Sequence, residues 1–140
     1  MPLAQILIYP GLGGDAVRNS PPRNAFAPLL RGSDAGAYRR LYSEDFERLG
    51  ATDPEFAPLR APDYIGLPPA AIFAAGIDPL RQDAEDYAAR LGAAGVPAIF
   101  RVEPGLVHGY LRARHMSRAA ARSFAEMASA LRSFADGSSA

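Results

Sequence analysis

The chain has 140 residues, 49% hydrophobic and 21% charged, with 15 basic residues against 15 acidic ones and no Cys. That is the length of one domain and the composition of a folded chain, and the zero net charge gives no reason to expect nucleic acid or an anionic membrane surface as partner. No apolar run approaches the roughly 18–20 residues of a membrane helix. The lack of Cys removes disulfides, thiolate nucleophiles and Cys-based metal sites, and the lack of Lys removes a Schiff base and a P-loop lysine.

In chain order, Gln5 to Tyr9 is the first strand, carried by the continuous apolar run Ile6-Leu7-Ile8-Tyr9. Runs of this kind suit strands covered on both faces. Next comes Gly11-Leu12-Gly13-Gly14-Asp15-Ala16, which fits G-x-G-x-x-[G/A]. That pattern holds a pyrophosphate only where a helix follows, and Asn19-Ser20-Pro21-Pro22 cannot be a helix interior. A plain strand-to-loop exit is the expectation. The stretch from 15 to 69 is too long for a simple connection. It carries seven prolines before Pro69 and one predicted helix, Ala35 to Leu49, ending at Gly50. It reads as a sub-structure laid over one end of the sheet. Within it, Gly32-Ser33-Asp34-Ala35-Gly36 has Asp where a nucleophile elbow needs Ser, and reads as a turn into that helix.

Ala70 to Ala75 is the second strand. Leu80, Ala84, Tyr87, Ala88 and Leu91 then form a stripe at helical spacing, with Pro79 at its start and Gly95 suited to its end. Ala98 to Val102 is the third strand. The last helix runs from Ser117 to Ala135, with a stripe of Ala120, Phe124, Met127, Ala128, Leu131 and Phe134. Strand, helix and strand at this spacing pair in parallel through a right-handed crossover, so the fold class is α/β.

Two residues stand where parallel sheets place their sites, past the C-terminal ends of strands. Asp78, followed by Pro79, is either a helix N-cap or a functional carboxylate. His108 lies in a Gly-flanked loop after the third strand, whereas His115, among Arg112, Arg114 and Arg118, reads as a solvated surface residue. The loops of Asp78 and His108 follow neighbouring strands. An Asp orienting a His is the acid–base half of a catalytic triad.

These pieces, in this order, resemble the C-terminal half of an α/β-hydrolase of the bacterial hormone-sensitive lipase-like esterase family. The resemblance rests on Ile6-Leu7-Ile8-Tyr9-Pro10, Asp53-Pro54 with Ala57-Pro58-Leu59, Gly66-Leu67-Pro68-Pro69-Ala70, Asp78-Pro79-Leu80-Arg81-Gln82-Asp83 and His108-Gly109-Tyr110. It implies one partial α/β-hydrolase domain over residues 1–140, with 15–69 as an irregular and helical insert near the cap. It implies Asp78 as triad acid and His108 as general base, with Ile77, Leu106, Val107 and Tyr110 lining a pocket for a small acyl ester. No cofactor and no metal are implied.

The sequence contains neither G-x-S-x-G nor a His-Gly-Gly-Gly segment. The expectation is therefore a serine carboxylic-ester hydrolase of which this chain holds acid and base but no recognisable nucleophile or oxyanion donors. The alternative is a catalytically inactive remnant or assembly module of the same fold. An apolar first strand without a neighbour on one side invites pairing. A homo-oligomer, or pairing with an N-terminal half, is the expected assembly. With neither Cys nor a recognisable secretory signal, the expected location is cytoplasmic.

Overall fold

A computed structural model describes residues 2–137. Three parallel strands form one sheet in the order β1 (Gln5–Ile8), β2 (Ala70–Ile77), β3 (Ala98–Val107). The register pairs Gln5 with Ala70 and Ala70 with Ala98. Six α-helices accompany the strands: α1 (Ala16–Asn19), α2 (Pro22–Ala25), α3 (Gly32–Tyr42), α4 (Phe46–Thr52), α5 (Arg81–Ala93) and α6 (Arg118–Ala135). Single 3-10 turns cover Pro58–Arg60 and Tyr110–Ala113.

The central strand explains the layering. Successive side chains of a strand point to opposite faces. Ala70, Ile72 and Ala74 pack with Ala84, Tyr87 and Leu91 of α5 and with Leu59 and Tyr64 of the insert. Ala71, Phe73 and Ala75 pack with Ala120, Met127 and Phe134 of α6. Both faces are dry, so β2 is apolar without alternation, and its small Ala side chains let the helices approach. The run from α5 to β3 closes with Val96 N–H bonded to the Leu91 carbonyl and Gly95 N–H to that of Gly92, the double bond pattern of a Gly-capped helix end.

The structure departs from the sequence expectation in three places. The helix expected over 35–49 starts earlier, at Gly32, so that Gly32-Ser33-Asp34-Ala35-Gly36 is its first turn rather than a turn leading into it, and it is broken into α3 and α4, because Ser43 is extended and its Oγ accepts the Asp45 N–H at 3.2 Å, a local bond that competes with helix continuation. Strand β3 runs past Val102 through Pro104 and Gly105 to Val107. It is one of the sheet's two edge strands, where a missing donor on the outer side is tolerated, and the register slips between Ala75 and Ile77 to absorb the irregularity. Gly76 makes this possible, since a Cβ there would lie 2.8 Å from the Glu103 carbonyl. The buried stripe of α6 is Ala120, Ser123, Met127, Ala130 and Phe134, while Phe124 and Leu131 face outward. Ser123 turns inward because its Oγ meets the Tyr110 hydroxyl at 2.7 Å.

Candidate active site

Asp78 directly follows β2 and His108 directly follows β3. The ladder pairs Ile77 with Val107, so the two chain exits are level at the C-terminal edge of the sheet. The Asp78 side chain is 1% exposed. Its Oδ1 accepts the Leu80 N–H at 2.8 Å, shaping the turn into α5. Its Oδ2 lies 2.8 Å from Nδ1 of His108. The N-cap of α5 is Leu80, so Asp78 is not the helix cap the sequence offered; one of its oxygens holds the turn before the helix and the other faces His108. A proton on Nδ1 donated to the carboxylate fixes the imidazole tautomer and leaves the Nε2 lone pair as the basic one. Nε2 makes no hydrogen bond among the described residues, and His108 lines a cleft of about 1090 Å³.

Tyr9, the residue after β1, packs its ring 4.7 Å from the His108 ring and 5.3 Å from that of Tyr110. Burial pushes its phenol pKa up. The Arg112 guanidinium opposes that shift, and the Asp78 carboxylate adds to it.

The wall opposite is the Gly-rich loop 11–15, and its anchor is Asp83 of α5. This fully buried carboxylate accepts the backbone N–H of Leu12 at 2.7 Å, of Gly14 at 3.2 Å and of Ala16 at 3.3 Å. The amides that a pyrophosphate would need are thus turned onto an internal carboxylate, as the strand-to-loop reading requires. Loop and insert are also tightly apposed, for a Cβ on Gly13 would lie 2.3 Å from that of Ala57. Farther out, the cleft is walled by Tyr38, Tyr42, Phe46 and Phe56 of the insert. Leu29, at a backbone φ of +70°, lines it too.

The residues expected beside the acid and base lie elsewhere. Tyr110 is 3% exposed, in the core on the α6 side, with burial pushing its pKa up to about 12. Leu106 packs against that same core, and Ile77 and Val107 pair with each other in the ladder. None of the four is on the cleft wall. Tyr110 and Leu106 are drawn into the core against α6, and Ile77 and Val107 end their strands beneath the loops that carry Asp78 and His108. His115 is exposed and away from the cleft. Sequence reasoning missed Tyr9 and Asp83. The first carried a signal in Tyr9-Pro10 at a strand exit, the second in an acidic residue on the buried face of α5.

Among the described residues no cluster of three or more His, Asp or Glu side chains is placed to hold a metal ion, and no helix is long and apolar enough to cross a membrane.

Comparison with known proteins points one way. A family model described as alpha/beta hydrolase fold matches residues 1–112. Esterase LipI of Mycobacterium tuberculosis is 40% identical over 107 residues, which are 76% of this chain and 33% of LipI. The hormone-sensitive lipase of Ictidomys tridecemlineatus is 35% identical over 108 residues, 76% of this chain and 13% of the lipase. The crystal structure of esterase LipW from Mycobacterium marinum superimposes with a TM-score of 0.77 at 30% identity, covering 94% of this chain and 40% of LipW. The chain spans about a third of the length of LipI.

Proposed function

The chain belongs to the alpha/beta hydrolase fold family, among the hormone-sensitive lipase-like esterases, and from that premise we propose that it carries the acid–base half of a serine carboxylic-ester hydrolase. Asp78 orients His108 and stabilises its protonated form. His108 takes the proton from an attacking hydroxyl and returns it to the leaving alkoxide. The observation that carries this reading is the 2.8 Å contact between Asp78 Oδ2 and His108 Nδ1, with His108 lining the cleft. The substrate class is a small acyl ester. The expected lining by Ile77, Leu106, Val107 and Tyr110 is replaced in this proposal by a lining from the insert rings and the 11–15 loop. No cofactor is invoked.

The nucleophilic Ser and the oxyanion donors are supplied by an N-terminal half carrying G-x-S-x-G, in the same or a second polypeptide, seated against the free edge of β1. Its backbone side away from β2 is unpaired among the described residues, and Ile6, Leu7 and Ile8 are only half-buried. The proposal extends to a bacterial, cytoplasmic setting, in line with an Arg-only, Cys-free composition.

The test is hydrolysis of a short-chain p-nitrophenyl ester by this chain alone and by this chain joined to or co-expressed with the G-x-S-x-G half that precedes it. Turnover confined to the pair, and abolished by His108→Ala, is expected. Turnover by the pair that survives His108→Ala would contradict the proposal. The second reading, an inactive assembly module, is favoured by the sequence lacking G-x-S-x-G. A stable complex with no turnover would decide for it.

A further inference from the structure

We infer that Tyr9 is a positioning residue for His108: a strained turn throws its ring out of strand alternation and sets it against the imidazole, fixing the plane of the base. The inference rests on the reading of His108 as general base.

Alternation along β1 makes the point. Ala4, Ile6 and Ile8 pack toward α6, and Leu7 packs toward α5. Tyr9 should therefore follow Leu7 to the α5 side. It packs instead with Ile8 on the α6 side. The switch is made by a backbone φ of +37°, in the region that L side chains rarely adopt, and the following Pro10 restricts Tyr9 further. The chain does not break to achieve this, because the Tyr9 N–H still reaches the Phe73 carbonyl at 2.6 Å.

The geometry shows what the strain accomplishes. With Cγ bonded to Cβ and Nδ1 hydrogen-bonded to Asp78, the imidazole keeps one freedom, a tilt of its plane about the line through those two anchors. The Tyr9 ring, 4.7 Å away and inclined at 60°, removes that freedom. It is braced from behind by Tyr110 in an edge-on contact at 5.3 Å, and Tyr110 is pinned by Ser123. The imidazole is thus held by a carboxylate at one nitrogen and by an aromatic stack rooted in α6. The only other non-glycine residue with positive φ among those described, Leu29, lines the same cleft. Backbone strain gathers at sites where a side chain must be aimed.

The experiment is proton NMR on the whole chain, with Tyr9→Phe, Tyr9→Leu and Asp78→Asn beside the wild type. The readout is the downfield resonance of an Nδ1 proton shared with a carboxylate, with far-UV circular dichroism as the control for folding. The wild type and Tyr9→Phe are expected to show the resonance. Tyr9→Leu, with an unchanged dichroism spectrum, is expected to lose it through exchange with water. A Tyr9→Leu protein that keeps the resonance overturns the inference and leaves the Asp78–His108 pair standing. A resonance absent from the wild type, or one that survives Asp78→Asn, overturns the pair and the inference with it. Should Tyr9→Leu fail to fold, the nuclear Overhauser contact between the Tyr9 ring and His108 Hε1 decides. Its presence in wild type and Tyr9→Phe supports the inference, and its absence overturns it.

Discussion

Replacing Asp83 tests how the cleft wall is held. Its carboxylate is fully buried and makes no ion pair among the described residues. Three backbone donors take the place of a cation, at 2.7, 3.2 and 3.3 Å. Hydrogen bonds to a charged group are worth about 1.5–3 kcal/mol, and an orphaned buried donor costs about 1–3 kcal/mol. Counting the short bond fully and the two long ones at about half, Asp83→Ala should destabilise by roughly 3–6 kcal/mol. That is a large part of the about 5–15 kcal/mol that holds a domain together. Asp83→Asn keeps an acceptor for Leu12 and Gly14 but turns an amide N–H toward the Ala16 N–H, for a loss of about 1–3 kcal/mol. Urea unfolding followed by circular dichroism reads both, as a lowered midpoint at unchanged slope. An Asp83→Ala variant within about 0.5 kcal/mol of wild type would refute the reasoning, since surface substitutions alone change stability by that much.

Three other expectations follow from the same structure. Gly13 and Gly66 share a positive φ, +77° and +75°, but only Gly13 faces a contact, at 2.3 Å from the Ala57 Cβ, so Gly13→Ala should destabilise well beyond the about 1–2 kcal/mol of Gly66→Ala; equal thermal shifts would remove the steric argument. Tyr110→Phe orphans the buried Ser123 hydroxyl and should cost about 1–2 kcal/mol in urea unfolding while leaving KM for an ester unchanged, because Tyr110 belongs to the core; a raised KM with intact stability would return it to the pocket. The same residue makes the fold alkali-sensitive: its pKa is raised from 10.0 to about 12 in the folded chain, so its stabilising contribution is complete below pH 10 and is lost as the pH rises to about 12. That loss is about 2–3 kcal/mol for a shift of this size, and Tyr110→Phe should flatten that part of the stability curve.

The features legible in the sequence are those set by local pattern. The apolar run of β2 announces a strand covered on both faces, and the stripe of α5 and its Gly95 end match their residues closely. Asp78 and His108 were legible because each directly follows a strand, and neighbouring parallel strands bring such exits together. What was not legible depends on distant partners. The kink at Ser43 arises from a side chain choosing the backbone over the helix. Ser123 replaces Phe124 on the buried face of α6 because Tyr110, from another element, needs a partner. Asp83 looks like an ordinary first-turn acid until the 11–15 loop closes over it. Tyr9 breaks the alternation of its own strand, so pattern reasoning sends it to the wrong face.

The central claim is that Asp78 and His108 act as one acid–base unit on an ester. The direct measurement is kcat/KM for a short-chain p-nitrophenyl ester, with the chain completed by the proposed G-x-S-x-G half, comparing wild type, His108→Ala and Asp78→Asn. Each variant is expected to lose about 10³-fold or more, with little further loss when the two are combined, since residues that work as a unit are not additive. Wild-type turnover in His108→Ala, or losses that multiply in the double variant, would contradict it.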